Sequence, residues 1–191
     1  MNTNRLEAFS DGVIAIIITI MVLEIKVPHG ETLDALIPLI PVLLSYVLSF
    51  IYVGIYWNNH HHFMHMVHNV NGRILWANLH LLFWLSLIPF ATGWMGENHI
   101  GAVPVALYGL ILFMCSVAYA ILVSAVLRLQ GQDPKLAAAV GRDYKGKIST
   151  ILYLVAIPLA FVNQWISIAL YVTVAIIWFL PDRRIEKVLV D

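Results

Sequence analysis

Apolar residues fall in long blocks along this chain, set apart by short polar stretches, and six blocks approach membrane length: roughly 6–26, 37–57, 74–95, 103–127, 147–163 and 165–180. Each block predicts a transmembrane helix, so the fold class is all-α, a polytopic membrane protein with one six-helix domain spanning 1–191. The last two blocks sit at the lower length limit and are parted only around Asn163 and Gln164. They read as a tight helical hairpin, with one long bent helix as the alternative. The longest polar stretch, Gln130 to Gly146, carries Asp133 and Pro134 at a plausible helix start and reads as a short helix or loop. No internal repeat and no low-complexity tract is visible.

Composition agrees with the pattern. The chain is 61% hydrophobic and 12% charged, a balance that one soluble core could not hide. Lys and Arg number 11 and so do Asp and Glu, so no bulk field attracts nucleic acid, and none is expected as a partner. The one cysteine, Cys115, lies in an apolar block, with no partner for an intrachain disulfide and no metal-ligand companion. A cleavable signal peptide is not expected, because Glu7 and Asp11 interrupt the amino-terminal region. Six spans put both termini on one side. That side holds every Lys and Arg except Lys26, which makes it cytoplasmic by the positive-inside rule.

The first helix stands out because charge sits at both ends of a short apolar run. Asp11 and Glu24 are parted by residues 12–23 alone. At ~1.5 Å per residue this is ~18 Å, well short of a ~30 Å hydrocarbon core. Its carboxylates must then face protein or a water-filled vestibule, which marks a candidate pore-lining helix. At ~100° per residue, Ile16, Thr19, Ile20 and Leu23 fall within about 60° of one line, with Asp11 about 140° away. Periodicity alone leaves two readings open: ordinary helix–helix packing, or rings of Ile and Leu closing a pore around an axis.

The run Arg5-x-x-x-Phe9-Ser10-Asp11, followed by Gly12-Val13-x-Ala15-Ile16-x-x-Thr19 and Leu23-Glu24, resembles the signature of the transmembrane protein 175 family, the endolysosomal potassium channels and their prokaryotic relatives. A single six-helix unit is similar to the prokaryotic branch. The resemblance implies a homotetrameric cation channel of unconventional build in the cell membrane of a prokaryote, with the first helix of each subunit lining the pore. It implies a hydrophobic constriction at Ile16 with further layers at Thr19 and Leu23, Ile20 being a looser match. Potassium would be the permeant ion, with modest selectivity over sodium and protons as a candidate second permeant. No Thr-Val-Gly-Tyr-Gly run occurs, so no carbonyl ladder is available for selection. No cofactor and no enzymatic activity is implied.

Arg5 and Asp11 are six apart and do not share a helix face. Ser10 and Asp11 need hydrogen-bond partners if buried. The candidates are on the third helix, where Trp76, His80 and Trp84 recur at helical spacing. With Arg5 and Phe9 these residues form an expected structural network that positions the first helix without touching the ion. The alternative reading of His80 is an ordinary paired histidine of the bundle.

Five of the eight histidines fall between His60 and His68 at the end of the second helix. His61, His65 and His68 would share a helical face and could bind zinc, copper or iron. No Cys, Asp or Glu accompanies them in the segment, so an amphipathic extension is the preferred reading and no metal is assigned. A pH-sensing role is a further reading of the cluster. Two rival functions stand beside the channel: a secondary transporter, disfavoured because no Gly-Pro-broken spans recur in two halves, and a membrane redox enzyme holding metal on the His60–His68 cluster. No Gly-x-x-x-x-Gly-Lys-Ser/Thr run supports nucleotide-driven transport.

Overall fold

A computed structural model describes residues 3–130 and 143–179. Among these every regular element is helical: α1 (Thr3–Leu23), a 3₁₀ segment (Leu33–Leu39), α2 (Ile40–His65), α3 (Gly72–Ser86), α4 (Ile88–Glu97), α5 (Ala102–Gln130), α6 (Tyr144–Leu159) and α7 (Gln164–Phe179). Among the described residues, four stretches are long and apolar enough to cross a membrane: Thr3–Leu23, Leu33–His65, Gly72–Glu97 and Ala102–Gln130. α7 is a shorter apolar helix. The expected helix start at Asp133 and Pro134 lies outside the described residues.

Local chemistry sets the breaks. α3 begins where the Asn71 side chain accepts the Ile74 amide at 3.0 Å, and α6 where Asp143 accepts the Gly146 amide at 2.8 Å. α3 and α4 together make one span, interrupted at Leu87 because Pro89 has no amide hydrogen to continue the ladder. α6 and α7 are two separate helices packed against each other, turned by residues 160–163, where Asn163 accepts the Trp165 amide at 2.9 Å. α4 hands over to α5 through two left-handed residues, His99 (φ 49°) and Ile100 (φ 59°). Such φ is unusual for a β-branched residue. The Ile100 amide donates to the Met95 carbonyl at 2.9 Å, closing the helix end.

α5 is the hub, packing on α3, α4, α6 and α7, while α1 lies against α2, α3 and α4. Around the hub, Tyr52, Tyr108, Tyr153 and Tyr171 form a buried aromatic cluster with neighbouring ring centroids 5.7–6.4 Å apart. Their hydroxyls find partners: Tyr52 donates to the Tyr171 carbonyl at 2.6 Å and Tyr171 to the Val105 carbonyl at 3.1 Å. Gly109 makes this possible, because a Cβ there would collide with the Tyr171 hydroxyl. Gly109→Ala is therefore expected to cost about 2 kcal/mol through overpacking and a lost hydrogen bond. Thermal unfolding of the purified protein should fall by about 4–8 °C. An unchanged transition would show that the tyrosine cluster yields without cost.

Candidate functional site

α1 has two faces. Thr3, Leu6, Ser10, Ile14, Ile17 and Met21 are buried and recur every three or four residues, so this seam is the one that packs on α2, α3 and α4. Taking ~100° per residue, the seam centres about 120° from Ile16. The opposite stripe is left uncovered: Ile16 is 57% exposed and Leu23 78%, with Phe9, Thr19 and Ile20 exposed beside them. The Thr19 hydroxyl donates back into its own helix, lying 3.0 Å from the Ile16 carbonyl and 3.1 Å from that of Ala15. Its oxygen keeps lone pairs free to accept. One face of α1 thus offers exposed apolar side chains with a hydroxyl oxygen between them.

At the stripe's edge, Ile16 and Ile20 of α1, Glu24 just past its end, and Phe90, Gly93 and Trp94 of α4 line an open groove of about 560 Å³. Glu24 lies over Gly93, where a Cβ would meet its carboxylate at 3.3 Å, so the small residue gives the acid its place. Nearby, Lys26 pairs with Glu97 at 2.5 Å. The hydrogen bond and charge of Glu97 raise the Lys26 ammonium above its ordinary range. Acidic groups therefore cluster at the carboxy-terminal end of α1.

The other end is tied down by a buried polar chain. The His60 ring on α2 meets Asn78 on α3, Nε2 to Oδ1, at 2.8 Å. Asn78 Nδ2 donates to Ser10 Oγ at 2.9 Å, and Ser10 donates to the Leu6 carbonyl at 2.8 Å. Since Asn78 turns its amide hydrogen toward Ser10, its carbonyl oxygen accepts, so His60 carries the proton on Nε2. All three side chains are buried. Asp11 points away from this chain and accepts the Trp57 indole N–H of α2 at 3.0 Å.

The predicted partners on α3 do not reach Ser10 or Asp11. The Trp84 indole donates to His80 Nε2 at 2.9 Å, so those two residues satisfy each other, and Trp76 is 74% exposed. The reason is phase. Asn78 shares the buried face of Ile74, Ala77, Leu81 and Leu85, and His80 lies ~200° from it. Asn78, His60 and Trp57 are the network residues that sequence pattern alone does not select. An amide inside the apolar run Leu75-Trp76-Ala77-Asn78-Leu79 is the available signal. Arg5 is exposed on the stripe side of α1.

The histidine segment divides. His60 belongs to the buried chain, and His61 and His65 approach Glu7 of α1, His61 Nδ1 at 2.9 Å and His65 Nε2 at 3.5 Å. α2 ends at His65, so His68 leaves the helical face. The His68 amide instead donates to the Gln130 side chain at 3.0 Å.

The chain is similar to several known proteins. Residues 5–89 match the family described as endosomal/lysosomal potassium channel TMEM175. A potassium channel of Chryseobacterium sp. is 55% identical over 98% of this chain and 97% of its own length. The endosomal/lysosomal proton channel TMEM175 of Gallus gallus is 33% identical over 48% of this chain, which is 21% of its own length. Among solved structures, that of a lysosomal potassium-selective channel TMEM175 homologue from Chamaesiphon minutus superposes with a TM-score of 0.82 at 30% identity. The match covers 93% of this chain and 96% of that one.

Proposed function

The chain belongs to the TMEM175 family of channels, and we propose that it conducts potassium across a membrane through a pore lined by α1 of four identical subunits. The observation that carries this reading is the uncovered stripe of Ile16, Thr19, Ile20 and Leu23, which lies opposite the face α1 uses to pack within its own subunit. Four such stripes around an axis make an apolar neck at Ile16, a hydroxyl ring at Thr19 and a second apolar ring at Leu23. An ion crossing the neck sheds water, and potassium sheds it at lower cost than sodium, so selection is real and modest. Glu24, just past the end of α1, concentrates cations before entry. Ser10, Asn78 and His60, with Asp11 on Trp57, hold α1 at the angle the neck requires.

The rest of the reading follows from the same frame. The chain is a single domain of six spans, both termini lie in the cytoplasm with most of the Lys and Arg, and the bilayer is a prokaryotic cell membrane. The relative described as a proton channel favours protons as a second permeant of the same pore. Reconstituted protein under potassium and sodium gradients, with an internal pH dye, tests these points together. Potassium flux should exceed sodium flux, with a slower acidification. Folded tetramers that pass no potassium would sink the proposal, and a dye that stays flat would remove the proton.

A further inference from the structure

Where the first turns of α1 meet the last turns of α2, two ladders face each other. Glu7 and Asp11 stand one turn apart on α1, and Trp57, His61 and His65 at successive turns on α2. Glu7 Oε1 lies 2.9 Å from His61 Nδ1 and 3.5 Å from His65 Nε2, and the two histidines approach within 3.1 Å through their Nε2 atoms. One ligand atom from each of the three residues falls within 4.8 Å of the others. We infer that Glu7, His61 and His65 form a binding site for one transition-metal dication of the zinc class, bridging α1 to α2.

The donor geometry suits that ion. Bonds of about 2.0–2.1 Å in a tetrahedron set ligand atoms roughly 3.3 Å apart, and the two distances from Glu7 to the imidazoles bracket that value. His61 Nδ1 is closed to solvent and makes no hydrogen bond of acceptable angle, although the Glu7 carboxylate is beside it. A lone pair so placed is spare for a metal. The ring itself is held in place, stacked on Trp57 with centroids 5.7 Å apart and planes 20° from parallel. Trp57 is in turn fixed by Asp11, so the site has outer support of the kind that orients ligands. Neighbouring histidines are otherwise engaged, His60 with Asn78 and His62 Nδ1 with the Asn58 carbonyl at 2.7 Å.

Ligand type narrows the ion. Two imidazoles and one carboxylate suit zinc, copper or nickel, whereas calcium and magnesium take oxygen donors. Side-chain exposure rises from 15% at Glu7 through 36% at His61 to 54% at His65, so the ion enters from the His65 side and completes its shell with water. The site lies on the packed and flanking faces of α1, away from the Ile16 stripe, and does not depend on potassium conduction. Its effect is mechanical: the bound ion clamps the base of α1 to α2.

Tag-free full-length protein, stripped with chelator and titrated with zinc alone, tests the site without reading ion flux. Wild-type protein should retain one zinc per chain by elemental analysis and gain about 5 °C in unfolding temperature. His65→Ala and Glu7→Gln should each weaken binding at least about tenfold and lose the thermal gain, while His62→Ala keeps both. Folded wild-type protein without stoichiometric zinc would overturn the inference, as would stoichiometric zinc that survives both ligand substitutions. Either failure leaves the channel reading standing, because no conduction is measured.

Discussion

Ile16→Asn is expected to raise potassium current through reconstituted protein roughly tenfold and to bring the potassium-to-sodium permeability ratio close to unity, a barrier change of about 1.4 kcal/mol. Ile16 projects from the uncovered stripe of α1, 57% exposed. Four isoleucines around an axis offer an ion nothing in exchange for its water. Four asparagines offer carbonyl oxygens, which accept a cation, and amides, which hold water in the neck. The barrier falls for both ions. It falls further for sodium, which had the more tightly held water, so conductance and selectivity must move in opposite directions. Ile17→Asn is the phase control, because Ile17 belongs to the buried seam and should cost folding yield before it touches selectivity. Unchanged current and ratio in a folded Ile16→Asn protein would move the constriction away from this residue.

What the sequence makes legible depends on whether a helix carries its own reference. Along α1 the charges Asp11 and Glu24 bracket the run, and period alone groups Ile16, Thr19 and Leu23 on one line. What period cannot supply is which line packs; the burial of Ser10, Ile14, Ile17 and Met21 decides that. On α3 the ambiguity is sharper. Asn78 and His80 are both polar residues in one apolar block, ~200° apart, and sequence alone allows either to turn inward. The histidine is the more conspicuous of the two, yet His80 is taken up by Trp84 one turn on. Contacts between helices are the least legible. Glu7 meets His61 and His65 across 54 and 58 residues of chain (61 − 7 and 65 − 7), and no spacing rule within a segment reports such a meeting. The break at Leu87, by contrast, is written into Pro89.

Asn78→Leu should cost about 2 kcal/mol of stability, or a fall of about 4–8 °C in unfolding temperature. Leucine keeps the branched shape and heavy-atom count of asparagine but is bulkier, so a packing cost joins the lost hydrogen bonding. His60 bears most of it: its Nδ1 already lacks a partner, and without Asn78 the Nε2–H is buried and unpaired as well. Ser10 suffers little, because its own hydrogen still reaches the Leu6 carbonyl. The same asymmetry predicts the double substitution. Ser10→Ala hurts chiefly by stranding the Asn78 amide, so its cost should nearly vanish in the Asn78→Leu background, and the double variant should lose less than the two single losses added together. The chain also links stability to conduction, since Asn78 of α3, itself held by His60 of α2, grips the base of α1 at Ser10. Gly109→Ala supplies the comparison, losing similar stability at the tyrosine cluster of α5 and α7, away from α1. Asn78→Leu should lower the potassium-to-sodium ratio of the protein that remains folded, and Gly109→Ala should not. Equal ratios in the two variants would reduce the buried chain to a packing device and leave the angle of α1 to be set by its apolar seam alone.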